Sequence, residues 1–260
     1  LTYRQSLVPV VLEHQASVSE FKTRQAFEPD ILSFNNSARV LSLQTALAAS
    51  GRRHQLRLGG GYERFRMLYH TRNDAIGQDV ANLAYRPQVW SAFLDEQWKP
   101  TEFLLLRPGV RVEHVTGAEV TRVAPRIALK AFVTRSFALT GSAGRYYQAI
   151  QSLSDQELPL NIFDIWIGAD ATTPVSRAEH LVAGFEQWFG RHTSLAVEGY
   201  FKTFDQLAIR DPFDDPKVQG DEFTVGDGDA RGLAVLLRRH MGQVQGWIAY
   251  SYGEATRRTP

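Results

Sequence analysis

The sequence predicts an all-β fold, and more specifically a transmembrane antiparallel β-barrel. Three observations carry this: period-2 alternation of apolar and polar residues, long alternating segments, and tight turns that alternate with long polar loops. Strands of soluble domains average about five or six residues, whereas a tilted strand crossing a bilayer needs about 9–11. A soluble sandwich shares the alternation, with the apolar face as its core. It does not share the segment length or the asymmetry of the connections.

Eleven segments follow in order. Val8 to Lys22 and Ala38 to Ala49 open the series, and the turn Gly51-Arg52-Arg53 leads to His54 to Tyr69. Val89 to Trp98 and Phe103 to His114 are joined through Lys99-Pro100. In the latter, Leu104, Leu106, Pro108, Val110 and Val112 share one face, with Arg107, Gly109, Arg111 and Glu113 on the other. Arg126 to Thr134 repeats this, setting Ile127, Leu129, Ala131 and Val133 against Arg126, Ala128, Lys130 and Thr134. After Phe137 to Tyr147 come Glu179 to Phe189, the turn Gly190-Arg191, and Ser194 to Lys202. There Leu195, Val197, Gly199 and Phe201 oppose Ser194, Glu198, Tyr200 and Lys202. Arg231 to His240 and Gln243 to Tyr252, joined at Met241-Gly242, complete the set. The opposite ends carry long connections rich in Asp, Gly and Pro, expected as loops over Thr71 to Ala84, Gln148 to Arg177 and Leu207 to Asp229. Trp90, Trp98, Tyr147, Trp188, Phe189 and Tyr252 fall near strand ends, as in the aromatic girdles of membrane interfaces.

Composition removes other classes. With 29 basic and 28 acidic residues the net charge is only +1, so there is no electrostatic case for nucleic-acid binding. Aromatics at 11% and a 43% apolar share exclude disorder, and the lack of cysteine excludes disulfides and thiolate-bound zinc. No run approaches the ~20 apolar residues of a membrane helix. Gly59-Gly60-Gly61 lies inside a strand pattern without the Lys-Ser/Thr of a phosphate loop, and Gly141-Ser142-Ala143-Gly144 lacks nucleophile-elbow spacing. The seven histidines are scattered singly. No catalytic residue, cofactor or metal site is therefore expected. Asp211, Asp214, Asp215, Asp221, Glu222, Asp227 and Asp229 concentrate carboxylates, but their spacing matches no calcium-binding loop, so a solvated loop is the expectation.

An ordered series of short motifs then resembles the barrel of TonB-dependent outer-membrane receptors. Val123-Ala124-Pro125-Arg126-Ile127-Ala128-Leu129-Lys130 is similar to the family's strand opening with Pro-Arg. Leu139-Thr140-Gly141-Ser142-Ala143-Gly144-Arg145-Tyr146-Tyr147-Gln148 resembles its frequent G-x-G-x-x-Y-Q strand end. Ala178 to Glu186 and Val197 to Lys202 resemble paired G-x-E and E-x-Y-x-K strands, and Gly246 to Tyr252 the closing G-W-x-x-Y-x-Y. Where the family often has Glu after the glycine matching Gly232, this chain has Leu233 and Ala234.

The resemblance implies a barrel of about 22 strands around a plug, of which these segments are about half. Residues 1–260 are then expected to be part of a single barrel domain, with the plug, the TonB box and the terminal strands lying outside them. It implies a receptor in the bacterial outer membrane that imports a scarce ligand, such as an iron-siderophore, cobalamin or a glycan, with TonB-supplied energy. The partners implied are outer-membrane lipid, the receptor's own plug domain, the TonB complex and a small-molecule ligand. Arg107, Arg111, Glu113, Arg126, Lys130, Glu198 and Lys202 are expected to line the lumen, chiefly as ladders of opposite charge. Arg145, Tyr146, Gln148, Asp164 and Trp166, beside the longest loop, are expected to grip the ligand. A passive porin or adhesin barrel, and a soluble all-β glycan-binding protein, are the competing expectations.

Overall fold

The computed structural model describes residues 2–7, 10–27, 32–74, 76–153, 165–170, 172–210, 223–242 and 244–258. They form fifteen strands. The first five are β1 (Thr2–Leu7), β2 (Val10–Phe27), β3 (Leu32–Ser50), β4 (His54–Asn73) and β5 (Gln78–Tyr85). Next come β6 (Gln88–Thr101), β7 (Leu104–Val115), β8 (Val120–Phe132), β9 (Phe137–Gln148), β10 (Ile150–Leu153) and β11 (Ile165–Gly168). The last four are β12 (Ser176–Phe189), β13 (Thr193–Arg210), β14 (Phe223–Arg239) and β15 (Gly246–Arg258). One antiparallel sheet runs β1-β2-β3-β4-β6-β7-β8-β9-β12-β13-β14-β15, with β5 folded back on the upper part of β4. β10 and β11 pair only with each other. The meander order follows from the tight turns. Gly190, at φ 64°, occupies the left-handed conformation that glycine adopts without steric penalty and closes β12 onto β13.

Several strands outrun the alternation that marked them, and β1 was not marked at all. β4 has 20 residues, about 66 Å of strand at ~3.3 Å per residue, far more than an apolar band of about 25 Å requires. Beyond the band both faces meet water, so the period-2 signal fades while the hydrogen-bond ladder continues. For this reason the expected loop Thr71 to Ala84 is largely a hairpin of β4 and β5. Likewise β13 runs on to Arg210 and β14 starts at Phe223, past a bulge between Phe204 and Leu207 where Gln206 takes φ 57°. Gln148 to Arg177 also holds paired structure, in β10 and β11. Thr256 to Arg258 complete β15.

Register separates two faces. One row across the sheet joins Arg57, Asp95, Gly109, Arg126, Gly144, His180 and Lys202. The neighbouring row on the opposite face joins Leu47, Leu58, Leu94 and Val110. Ser19 of β2, Met67 of β4 and Tyr147 of β9 border one cavity although strands intervene, so the sheet curls with the charged face inside. No layer covers the outer face among the described residues, and Leu58, Leu94, Ile127 and Leu181 are 43, 44, 47 and 58% exposed. A soluble sandwich would bury this surface; a barrel wall turns it to lipid. Tyr62 and Trp90, with ring centroids 4.5 Å apart, and His54 with Trp98, 6.1 Å apart, mark two heights on that outer face. Gly59, within the glycine run, is closely packed: a Cβ there would lie 2.7 Å from the Phe93 ring.

Candidate ligand-binding site

The inner wall is held by charge pairs that register places side by side. Asp95 accepts two bonds from Arg126 Nη2, each 2.7 Å, and Lys130 Nζ donates to both oxygens of Glu186 at 2.8 Å. Lys130 also lies 5.2 Å from the Trp188 ring centroid. Arg107 donates to Gln97 at 3.0 Å and Arg111 to Glu113 at 2.5 Å. Glu198 and Lys202 share this face on β13, with Lys202 5.1 Å from the Tyr200 ring. All seven residues expected on the charged face therefore lie together on the inner one.

Above this wall the chain after β9 turns inward. Ala169 N–H donates to Ala149 at 2.7 Å, and Asp170 Oδ1 collects bonds from the Thr172 amide and hydroxyl and the Thr173 amide at 2.7–2.9 Å. This is the local turn that Asp favours. Gln151 ties the arm to two other segments, donating to Pro174 O at 3.2 Å and accepting from Ala208 N–H at 2.9 Å. Ile167, fully buried, packs on Ala208 and Tyr85, while Ala169 and Val175 join Val89, Val115 and Phe65. Gly168 permits the close approach, since a Cβ there would lie 2.9 Å from Pro87 and 3.0 Å from Met67. The β10–β11 arm is thus seated against the wall by apolar burial and satisfied backbone groups.

The arm and wall enclose a cavity of about 710 Å³ bordered by Phe65, Met67, Glu63, Tyr147, Gln148 and Trp166. Glu113 also borders it. Arg122, register partner of Glu113, lies 5.8 Å from the Tyr147 ring, and its buried Nε has no hydrogen-bond partner among the described residues. A buried, unbonded N–H is costly to leave so. Aromatic walls with a few polar groups suit a small amphipathic ligand. A lower cavity, about 440 Å³, is bordered by Arg57, Asp95, Arg107, Arg126 and Tyr146.

The residues expected to grip a ligand do not form one group. Gln148 and Trp166 border the upper cavity, and Tyr146 borders the lower one with its ring 4.6 Å from His180. Arg145 stands on the outer face with Ala143, where its Nε donates to Glu179 at 2.9 Å. Parity is the cause: Ser142 and Gly144 point inward, so Arg145 points out. Asp164 lies outside the described residues, as do the acidic positions Asp211 to Glu222. Of that acidic group, Asp227 and Asp229 are engaged by Arg258. No set of three or more His, Asp or Glu residues suited to a metal occurs among the described residues. Sequence reasoning missed Arg122, Glu63 and Tyr147. Counting back from Arg126 in steps of two would have put Arg122 on the inner face.

Residues 5–259 match the family described as TonB dependent receptor-like, beta-barrel. No curated protein matches the sequence. Among solved structures, the chain is similar to one in the FpvAI-pyocin S2 complex, at 12% identity and a TM-score of 0.72, covering 98% of this chain and 40% of that one. It is also similar to the ferric yersiniabactin uptake receptor FyuA from Yersinia pestis, at 11% identity and a TM-score of 0.68, covering 99% and 42%. A third is the RagAB peptide transporter, at 13% identity and a TM-score of 0.64, covering 98% and 36%. The chain thus spans about two fifths of the length of these structures. With the family matched over nearly its whole length and the outer face bare of any covering layer, the chain belongs to the TonB-dependent receptor-like β-barrel family and forms a segment of an outer-membrane barrel.

Proposed function

We propose that the segment is part of the wall and the ligand-gripping rim of a receptor that imports a scarce nutrient across the outer membrane, using energy passed through TonB. The observation that carries this reading is the β10–β11 arm, folded inward to close a cavity that Tyr147, Gln148 and Trp166 border. A plain wall needs no such arm. The names of similar structures, a ferric yersiniabactin uptake receptor and a peptide transporter, support uptake of a small organic ligand. In this reading Tyr147, Gln148 and Trp166 contact the ligand, Tyr146 lines its onward path, and the inner-face ion pairs hold the wall and meet a plug domain. The strands that close the barrel, the plug and the TonB contact lie in the rest of the receptor. The segment supplies no chemistry: it binds, orients and releases.

The test uses the full-length receptor in detergent, with tryptophan fluorescence to screen ferric siderophores, cobalamin, oligosaccharides and short peptides. Gln148→Ala with Trp166→Ala is expected to weaken the ligand found by about 10-fold or more, since a Trp166 ring contact and a Gln148 hydrogen bond contribute about 1 kcal/mol each. Unchanged affinity in the folded double variant contradicts the site. Uptake that persists in cells lacking TonB contradicts active import and favours a passive pore.

A further inference from the structure

The outer face of β2, β3 and β4 carries basic side chains that ligand uptake does not use. Arg39 and Arg66 are register partners, and Arg64 lies two residues below Arg66 on the same face. All three are exposed, and none has an ion-pair partner among the described residues. Lys22 and Arg24 face the same way, and the single carboxylate on this face of the three strands is Glu20, opposite Arg39 in register and 3.0 Å from Lys22. Like charges directly opposite on adjacent strands repel, so the bare cluster is unfavourable and an anion among the three guanidinium groups would relieve it.

Height on the barrel identifies the anion's surroundings. Arg64 stands ten residues along β4 from His54, the first residue after the tight turn. That is ~33 Å of strand, or about 25 Å of height at a tilt of 35–45°, the span of the apolar band. Directly below it, Tyr62 packs on the 54% exposed Trp90, with Leu43 beside Tyr62 in register and Leu58 below it presenting bare apolar surface. The cluster lies toward the long connections, the external side of such barrels. Basic groups stand where lipid headgroups begin, over a strip where acyl chains run. The outward charges of the later strands differ, being matched in pairs such as Arg231 with Glu254 and Arg177 with Asp205.

We propose that Arg39, Arg64 and Arg66 form a binding site for the phosphate group of a phosphorylated glycolipid of the outer leaflet, its acyl chains lying along the apolar strip below Trp90. Guanidinium groups suit this role, since their planar fork bonds phosphate oxygens in pairs. The site rests on the barrel orientation alone and not on the identity of the imported nutrient.

The experiment measures binding of diphosphoryl lipid A, and of the same lipid with both phosphates removed, to the purified full-length receptor in detergent by native mass spectrometry. The intact lipid is expected to bind about 100-fold more tightly than the dephosphorylated one, on the scale of about a fivefold effect per arginine. The variant Arg39→Gln/Arg64→Gln/Arg66→Gln should remove that preference, and inorganic phosphate at the same concentration should not compete. Equal binding of the two lipids by the wild-type receptor overturns the proposal without any variant. A folded variant that keeps the preference overturns it as well, and so does full competition by inorganic phosphate, which would mark a free-anion site. Ligand uptake by the variant should be unchanged.

Discussion

The outer rim over β12 to β15 and the outer rim over β2 to β4 both carry arginine, yet they solve its charge differently. On the later strands three outward arginines meet a carboxylate across the ladder: Arg177 with Asp205 at 2.6 Å, Arg231 with Glu254 at 2.7 Å, and Arg258 with Asp227 at 3.0 Å. On the earlier strands the register partner of Arg66 is Arg39. The first group is paired within the chain; the second sets Arg39, Arg64, Arg66, Lys22 and Arg24 against one carboxylate, Glu20, opposite Arg39. Register, more than composition, decides which is which.

The comparison presumes that both rims stand above a lipid-facing band, and the largest expected effect tests that. Leu129→Arg, within the band, should cost about 2–4 kcal/mol in urea unfolding of the lipid-embedded receptor, whereas Arg64→Leu above it should change stability little. Equal effects would erase the boundary between band and rim. Next comes the inner face, where Lys130 and Glu186 are each about one quarter to one third exposed. Lys130→Met leaves a half-buried carboxylate unpaired and should cost about 1 kcal/mol in the same titration. In lipid-free detergent, replacing Arg39, Arg64 and Arg66 by Gln should instead stabilise the barrel, by about 0.2–1 kcal/mol, because it removes repulsion. The smallest effect is expected at the paired rim: Glu254→Gln should leave the unfolding midpoint unchanged within error, as an exposed pair contributes little, while raising the binding of diphosphoryl lipid A there.

The sequence made the membrane-crossing part of the fold legible because lipid on one side and water on the other impose strict alternation. Phe103 to His114 and Arg126 to Thr134 show it, and all seven charged residues assigned to one face stand there together. It was silent above the membrane, where β4 continues to Asn73 and β5 returns along it with both faces wet. The site was legible only in part. Gln148 and Trp166 border the upper cavity, but Arg145 faces outward by the parity of β9. The arm that makes the cavity depends on Gly168 approaching Met67 and Pro87 and on Gln151 bridging to Ala208, long-range contacts with no local signature.

The central claim is that one face of this sheet meets lipid and the other meets water, and the absence of cysteine from residues 1–260 leaves the segment clear for single labels that read it directly. Single cysteines at positions 126 to 131 of β8, spin-labelled in the full-length receptor in liposomes, report contact with oxygen from the bilayer or with a water-soluble nickel chelate. The account predicts strict alternation, with Arg126→Cys, Ala128→Cys and Lys130→Cys favouring the chelate and Ile127→Cys, Leu129→Cys and Ala131→Cys favouring oxygen. Chelate accessibility without alternation along the six positions would contradict it.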